Sequence, residues 1–296
     1  MGKDLAGRYA VAANLFAESD RLLGRSLSQL AFEGPIEELT KTSNCQVALY
    51  VHGLALLRVV EEEIGSLPVV AAAGLSLGEF TAHAAAETFD FATGLNLVAE
   101  RGRLMEEACN ETAGTMAAFV GAEESLIRQV ATEADVDVAN LNAPGQIVLS
   151  GEIPKIENAI AIAKAKGVRR AMPLSVAGAF HSRLMQSAKQ RLGAELAAAT
   201  VRSPRLTVIA NVTALPVTDP TEIRRTLGDQ VASSIRWAES VVYLLDQVGC
   251  DLFLELGPGS VLAGLVTRIR KGVEVLSIED LATLEEALPA LREATK

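Results

Sequence analysis

Cysteine, histidine and positive charge are all scarce in this chain of 296 residues. Its three cysteines, Cys45, Cys109 and Cys250, lie far apart and form no CxxC. His52, His83 and His181 are the only histidines, and no two stand in HxxxH spacing, so the sequence offers no metal cage. An odd and scattered set of cysteines is expected of a reduced, metal-free protein of the cytoplasm. Basic residues number 27 against 37 acidic ones, a net charge of −10. Such a chain lacks the positive field that nucleic acid or anionic lipid requires. Long hydrophobic runs are missing too. The longest charge-free stretch, Thr42 to Leu57, includes Asn44 and Gln46 and is shorter than the ~18–20 apolar residues of a membrane span. The opening MGKDLAGRYA has no apolar h-region and does not read as a signal peptide.

What is present is an apolar content of 49%, enough for a large buried interior. The first 65 residues read as helices. Pro35 followed by Glu37 and Glu38 makes a helix start, and helical spacing from Cys45 to Ile64 stops at Gly65. Val69 to Ala73, between Pro68 and Gly74, reads as a buried parallel strand, followed by helices over Leu77–Glu87 and Asp90–Cys109. The texture changes at Gly114. MAAFVG, VDVANLN, QIVLSG and RRAMPLS read as short strands, with helical stretches at 123–133 and 154–166. That β-α-β-β-α-β order is ferredoxin-like. A helix at 182–199 and strands at 206–211 and 251–256 follow. The expectation is an α/β chain in which a small α+β subdomain, 114–175, interrupts a larger core made of 1–113 and 176–296.

Gly74-Leu75-Ser76-Leu77-Gly78 is a GxSxG between an expected strand and an expected helix. A serine nucleophile needs such a tight turn to expose its hydroxyl, and the Leu77 N–H at the helix start can face a developing oxyanion. Ser76 and Glu79 also have the S-x-x-E spacing of a capping box, which would serve the helix alone. Of the possible bases, His52 sits within a long helix and His83 points away from the turn. His181 ends the loop GAFH ahead of a helix whose N-terminus favours a neutral imidazole. Arg101 falls on an apolar stripe with Leu97, Val98, Leu104, Met105 and Ala108, so its charge must find an anion. That anion is either a carboxylate of the protein such as Glu79 or the carboxylate of a substrate. Gly257-Pro258-Gly259 imitates a dinucleotide fingerprint, but Leu262 stands where the third glycine belongs. It reads as a turn lining the site.

The set GLSLGEF (74–80), ERGRLM (100–105), NAPGQIVLSG (142–151), GAFHSRLM (178–185), SIRWAESV (234–241) and ELGPGSVLAGL (255–265) resembles the malonyl-CoA:acyl-carrier-protein transacylases, in order and spacing. The resemblance runs from the first residues to about 285 and implies an α/β-hydrolase-like core with a parallel sheet and an inserted ferredoxin-like subdomain. It further implies Ser76 as acyl-accepting nucleophile, His181 as general base and acid, Arg101 as clamp on the malonyl carboxylate, and Leu77 as oxyanion donor. Gln46, Asn142 and Met105 correspond to pocket positions, and Phe180 to the malonyl-selecting form. The carbonyl that orients the histidine is expected near Ser234 to Arg236. The implied partners are malonyl-CoA and an acidic acyl carrier protein in fatty acid or polyketide synthesis, with no cofactor and a monomeric chain. The carrier would dock at Lys164, Lys166, Arg169 and Arg170 or at Arg268, Arg270 and Lys271.

Two departures stand out. Leu75 replaces the family's usual histidine before the serine. The family also opens with a strand and an FPGQGSQ-like loop that supplies a second oxyanion N–H, whereas MGKDLAG matches the segment just after it. The expectation is a truncated or misplaced start, with one strand and one donor missing; such a donor is worth about 10²–10³ in rate. Two rivals are a serine hydrolase that releases the acid to water, and a non-catalytic relative.

Overall fold

The computed structural model describes residues 1–65 and 67–295. Four short helices, α1 (Lys3–Arg8), α2 (Ala10–Leu23), α3 (Leu27–Glu33) and α4 (Ile36–Leu39), lead into the long α5 (Thr42–Ile64). Strand β1 (Ala71–Ala72) then feeds α6 (Leu77–Ala85) and α7 (Phe91–Glu111). Helix α5 buries Val47, Ala48, Tyr50, Val51, Leu54, Ala55 and Leu56, nearly its whole circumference, as a helix at the centre of a core must. It meets α7 closely because Gly94 has no side chain: a Cβ there would stand 2.1 Å from the Tyr50 hydroxyl. That close approach brings Arg101 of α7 to Gln46 of α5. Asp90 starts α7 by accepting the Thr93 N–H at 2.8 Å, the N-cap arrangement that satisfies an otherwise unpaired donor.

Next come β2 (Gly114–Val120), α8 (Glu124–Ala134), β3 (Asp137–Ala143), β4 (Gln146–Glu152), α9 (Ile153–Ala165) and β5 (Arg170–Pro173). The strands form one antiparallel sheet in the order β3-β4-β2-β5, the ferredoxin-like arrangement expected from the sequence. Ile127, Val130 and Ala131 of α8 and Ile156, Ala159 and Ala163 of α9 recur at helical spacing and pack on Phe119, Ile147 and Leu149 of the sheet. This is a core of its own, distinct from the larger one around α5 and α7.

The remainder is α10 (Gln186–Ala198), β6 (Thr207–Ala210), β7 (Leu215–Pro216), α11 (Pro220–Asp229), α12 (Trp237–Tyr243), β8 (Leu252–Leu256), α13 (Val261–Ile269), β9 (Glu274–Ile278) and α14 (Leu281–Ala294). Here the parallel pairing comes as two separate ladders, β1 with β6 and β8 with β9, rather than one continuous sheet. The expected buried strand at Val69–Ala73 is correspondingly reduced to Ala71–Ala72. With β6 on one edge and no partner on the other among the described residues, Val69 and Val70 remain 40% and 57% exposed.

The segment around Ile235 joins the two cores. Ile235 donates its N–H to Ala139 and accepts from the Leu141 N–H, along the free edge of β3, and Ser234 Oγ donates to the Val138 carbonyl. This corrects the expectation for Ser234–Arg236: the Ile235 carbonyl is already committed to β3 and does not orient the histidine.

Candidate active site

The serine turn is built by steric exclusion and by one amide. A Cβ on Gly74 would stand 2.0 Å from the Gly78 carbonyl carbon, so only glycine lets β1 meet α6 there. Gly78 itself faces open space. Ser76 adopts φ 56°, ψ −108°, a backbone conformation that a side-chain-bearing residue holds only when its surroundings over-determine it. Those surroundings are the fully buried Asn211, just past β6. Its Oδ1 accepts the Ser76 N–H at 2.7 Å and its Nδ2 donates to the Gly74 carbonyl at 2.8 Å, holding both sides of the turn. The capping box is not formed. Ser76 makes no cap hydrogen bond, and its Oγ contacts His181 and Arg101 instead.

His181 Nε2 lies 2.8 Å from Ser76 Oγ, and its Nδ1 lies 2.7 Å from the Gln230 carbonyl oxygen. A carbonyl can only accept, so Nδ1 carries the proton and Nε2 is left with its lone pair toward the serine. Burial pushes the imidazole down to about 4, helped by the Arg101 charge and opposed by the Gln230 carbonyl. His181 stands ahead of a three-residue 3-10 turn, Arg183–Met185, which is capped by Ser182 and runs directly into α10. No carboxylate contacts His181 among the described residues.

Arg101 is 1% exposed, and every group it donates to is neutral: Gln46 Oε1, Ser76 Oγ at 2.8 Å and Gln230 Oε1 at 2.8 Å. The Phe80 ring centroid lies 5.5 Å from its guanidinium carbon, and its Nε has no partner among the described residues. Burial lowers it to about 10, which leaves it charged at neutral pH. Of the two anions open to it from the sequence, the Glu79 carboxylate is not in contact. Gln230 stands between them, its Oε1 accepting from Arg101 and its Nε2 donating to Glu79 Oε2 and to the Ser76 carbonyl, both at 2.9 Å.

Leu77 opens α6, so its N–H has no carbonyl four residues back to take. Gln46 also donates to Met105 Sδ at 3.6 Å, which places both residues beside Arg101. Phe180 packs on Met116, Ala139 and Val148. Asn142 lies on β3 with its Oδ1 unpartnered among the described residues, and no hydrogen bond ties it to Ser76, His181 or Arg101. His52 donates its Nε2–H to the Glu279 carbonyl and His83 Nδ1 shares a hydrogen bond with Thr88 Oγ1, both buried away from the serine. The Gly257–Gly259 turn bonds Glu279 through the Gly259 N–H; none of its hydrogen bonds reaches Ser76. Of the two basic clusters, Lys166 is paired with Glu133 and Arg270 with Asp246. His181 also lines an open groove of about 800 Å³ with Arg128, Arg183, Gln186 and Ser234.

Asn211 and Gln230 escaped sequence reasoning. Asn211 follows an apolar strand and Gln230 ends an ordinary amphipathic helix, and neither position carries a local signal of its role.

Residues 1–288 match the acyl transferase domain family. The chain is 39% identical to the malonyl CoA-acyl carrier protein transacylase of Bacillus subtilis, over 99% of this chain and 93% of that protein. It is 41% identical to that organism's polyketide biosynthesis malonyl CoA-acyl carrier protein transacylase PksC, over 92% and 93%. Its fold superposes on the acyl carrier protein S-malonyltransferase of Vibrio cholerae with a TM-score of 0.92 at 37% identity, covering 97% of this chain and 94% of that one. It superposes equally on the malonyl-transacylase PlMCAT, solved in complex with the type II PKS acyl-carrier protein AntF: TM-score 0.93, 36% identity, 98% and 94% covered. With a serine turn, a carbonyl-oriented histidine and a buried arginine on one hydroxyl, the chain belongs to the malonyl CoA-acyl carrier protein transacylase family of acyl transferases.

Proposed function

We propose that this protein moves a malonyl group from malonyl-CoA to the phosphopantetheine thiol of an acyl carrier protein through a malonyl-Ser76 intermediate. The observation that carries this reading is the buried Arg101 donating to the nucleophile's own oxygen while holding only neutral acceptors. A cation sealed in this way is completed by an anionic acyl group, and malonyl brings its carboxylate two bonds from the thioester carbon.

Chemistry then follows from the hydrogen bonds. Ser76 Oγ gives its proton to His181 Nε2 and attacks the thioester carbon, with the Leu77 N–H facing the oxyanion. The intermediate collapses, the C–S bond breaks, and CoA leaves as a thiol with the proton from His181. In the second half the carrier thiol gives its proton to Nε2, attacks malonyl-Ser76, and the serine regains the proton. The Gln230 carbonyl stabilises the imidazolium in both halves. Gln46 and Met105 shape the acyl end beside Arg101, with Phe180 and Asn142 further out.

We take residues 114–175 as a subdomain on a core of 1–113 and 176–296, with the groove beside His181 between them as the approach for the pantetheine arm. The reaction as written needs no cofactor. Three free cysteines fit a reducing cytoplasm, and no helix among the described residues is long and apolar enough to cross a membrane.

The test is the intact mass after brief incubation with malonyl-CoA. One added malonyl group, absent in Ser76→Ala and discharged by holo-carrier protein faster than by water, is the expected result. Acylation that persists in Ser76→Ala, or discharge to water alone, overturns the reading.

A further inference from the structure

The mechanism leaves without a role one buried carboxylate beside the nucleophile. Glu79 is wholly buried on the first turn of α6, three residues after the nucleophile. Its Oε2 receives both of its hydrogen bonds, from the Asn211 N–H at 3.2 Å and from Gln230 Nε2 at 2.9 Å, and its Oε1 has no partner among the described residues. A carboxylate placed only to brace the turn could be glutamine. A carboxylate placed to neutralise Arg101 would touch it. Glu79 does neither: it faces the guanidinium across the single amide of Gln230.

That spacing makes the charge of the site adjustable. The titratable groups around Glu79 are Arg101 from α7, His181 from the loop ahead of the 3-10 turn, and His83 four residues along its own helix. Asn211 and Gln230 present neutral amides, α5 faces α6 with Gly53 against Thr81, and β1 brings alanines. With the site empty, an ionised Glu79 balances Arg101. When an acyl carboxylate reaches Arg101, two anions share one cation in a sealed space, and like charges so placed cannot both stay ionised. The incoming carboxylate has the direct bond to Arg101, so Glu79 is the one that yields.

We propose that Glu79 takes up a proton when the malonyl carboxylate docks on Arg101, making substrate binding proton-linked and setting the net charge of the filled pocket to zero. This rests on the malonyl-transfer reading of the site. Burial already holds the Glu79 carboxyl up at about 7, so only a small push is required. Glu79 is thereby a positioning and charge-balancing residue. It acts on the substrate through Gln230 and Arg101 and touches no reacting atom.

The experiment is titration calorimetry of Ser76→Ala with malonyl-CoA in buffers of different ionisation enthalpy, which counts protons bound per ligand. More than about half a proton should be taken up per malonyl-CoA at pH 7.5, and Kd should weaken toward tenfold per pH unit above that. Acetyl-CoA, lacking the carboxylate, should take up none. Adding Glu79→Gln, which keeps the shape and the acceptor, should abolish both the uptake and the pH dependence while malonyl-CoA still binds. Should that double variant fail to fold, infrared difference spectra of Ser76→Ala with carbon-13 malonyl-CoA replace it; a new protonated-carboxyl band unshifted by the label supports Glu79. Malonyl-CoA binding without proton uptake, or uptake retained in the double variant, overturns the proposal and leaves the transfer reading intact. No binding of malonyl-CoA at all overturns both.

Discussion

Replacing Arg101 by alanine separates a carboxylate clamp from a merely structural arginine. The side chain is buried and donates to Gln46, Ser76 and Gln230. With malonyl-CoA bound, its loss leaves a carboxylate unpaired in a dry pocket. Breaking one side of a buried charge pair costs about 3–5 kcal/mol, or roughly 10²–10⁴ in acylation rate. Acetyl-CoA brings no carboxylate, so at the reacting oxygen it loses only the charged Arg101 bond to Ser76 Oγ, about 1.5–3 kcal/mol. Malonyl-CoA shares that loss, along with the loss of the bonds to Gln46 and Gln230. The malonyl-to-acetyl ratio of single-turnover acylation, read by rapid quench and mass spectrometry, should therefore fall by about 10² or more. Damage common to both substrates, such as a cavity at position 101 or a shifted serine, cancels in that ratio. An equal loss for both would refute the clamp, whatever its size. Arg101→Lys, which keeps the charge and loses the fork, should recover part of the ratio.

Two further outcomes are expected. Gly74→Ala should lose most of its folded population in a denaturant melt, because its Cβ has backbone 2.0 Å away that cannot move aside, whereas Gly78→Ala should fold with stability within about 1 kcal/mol of the parent; equal behaviour of the pair would contradict the packing described for the turn. At saturating malonyl-CoA, Ser76 acylation should be flat with pH through neutrality and fall only as pH drops toward about 4, since the base works neutral and acid removes it by protonating Nε2. A rate midpoint above 6.5 would show that His181 is not held neutral by burial.

Much of this site is legible in the sequence because its members are rare or misplaced for their surroundings. Ser76 lies between two glycines, Arg101 interrupts an apolar stripe, and His181 is one of three histidines. The ferredoxin-like subdomain is legible because each of its helices carries a clear apolar face and its strands are short and alternate around turns. The supporting shell is not. Gln230 acts through both its main chain and its side chain, and Asn211 acts from the far side of a strand pairing that brings residue 207 beside 71. Long-range register of that kind leaves no local pattern. The histidine-orienting carbonyl was expected some five residues too late, at a segment that instead stitches β3 to the core. The exposure of Val69 and Val70 was equally hidden, since an apolar run does not reveal how many of its edges are paired.

The oxygen that orients His181 belongs to the main chain, and this has an evolutionary consequence. Every amino acid supplies a carbonyl, so no codon change at position 230 can delete the histidine's partner in the way one base change can delete the aspartate of a catalytic triad. Selection at that position therefore reads only the amide side chain, the part that faces Arg101, Glu79 and the Ser76 carbonyl. A substitution at position 230 keeps the acceptor of His181 Nδ1 in the chain while changing what meets Arg101, Glu79 and the Ser76 carbonyl.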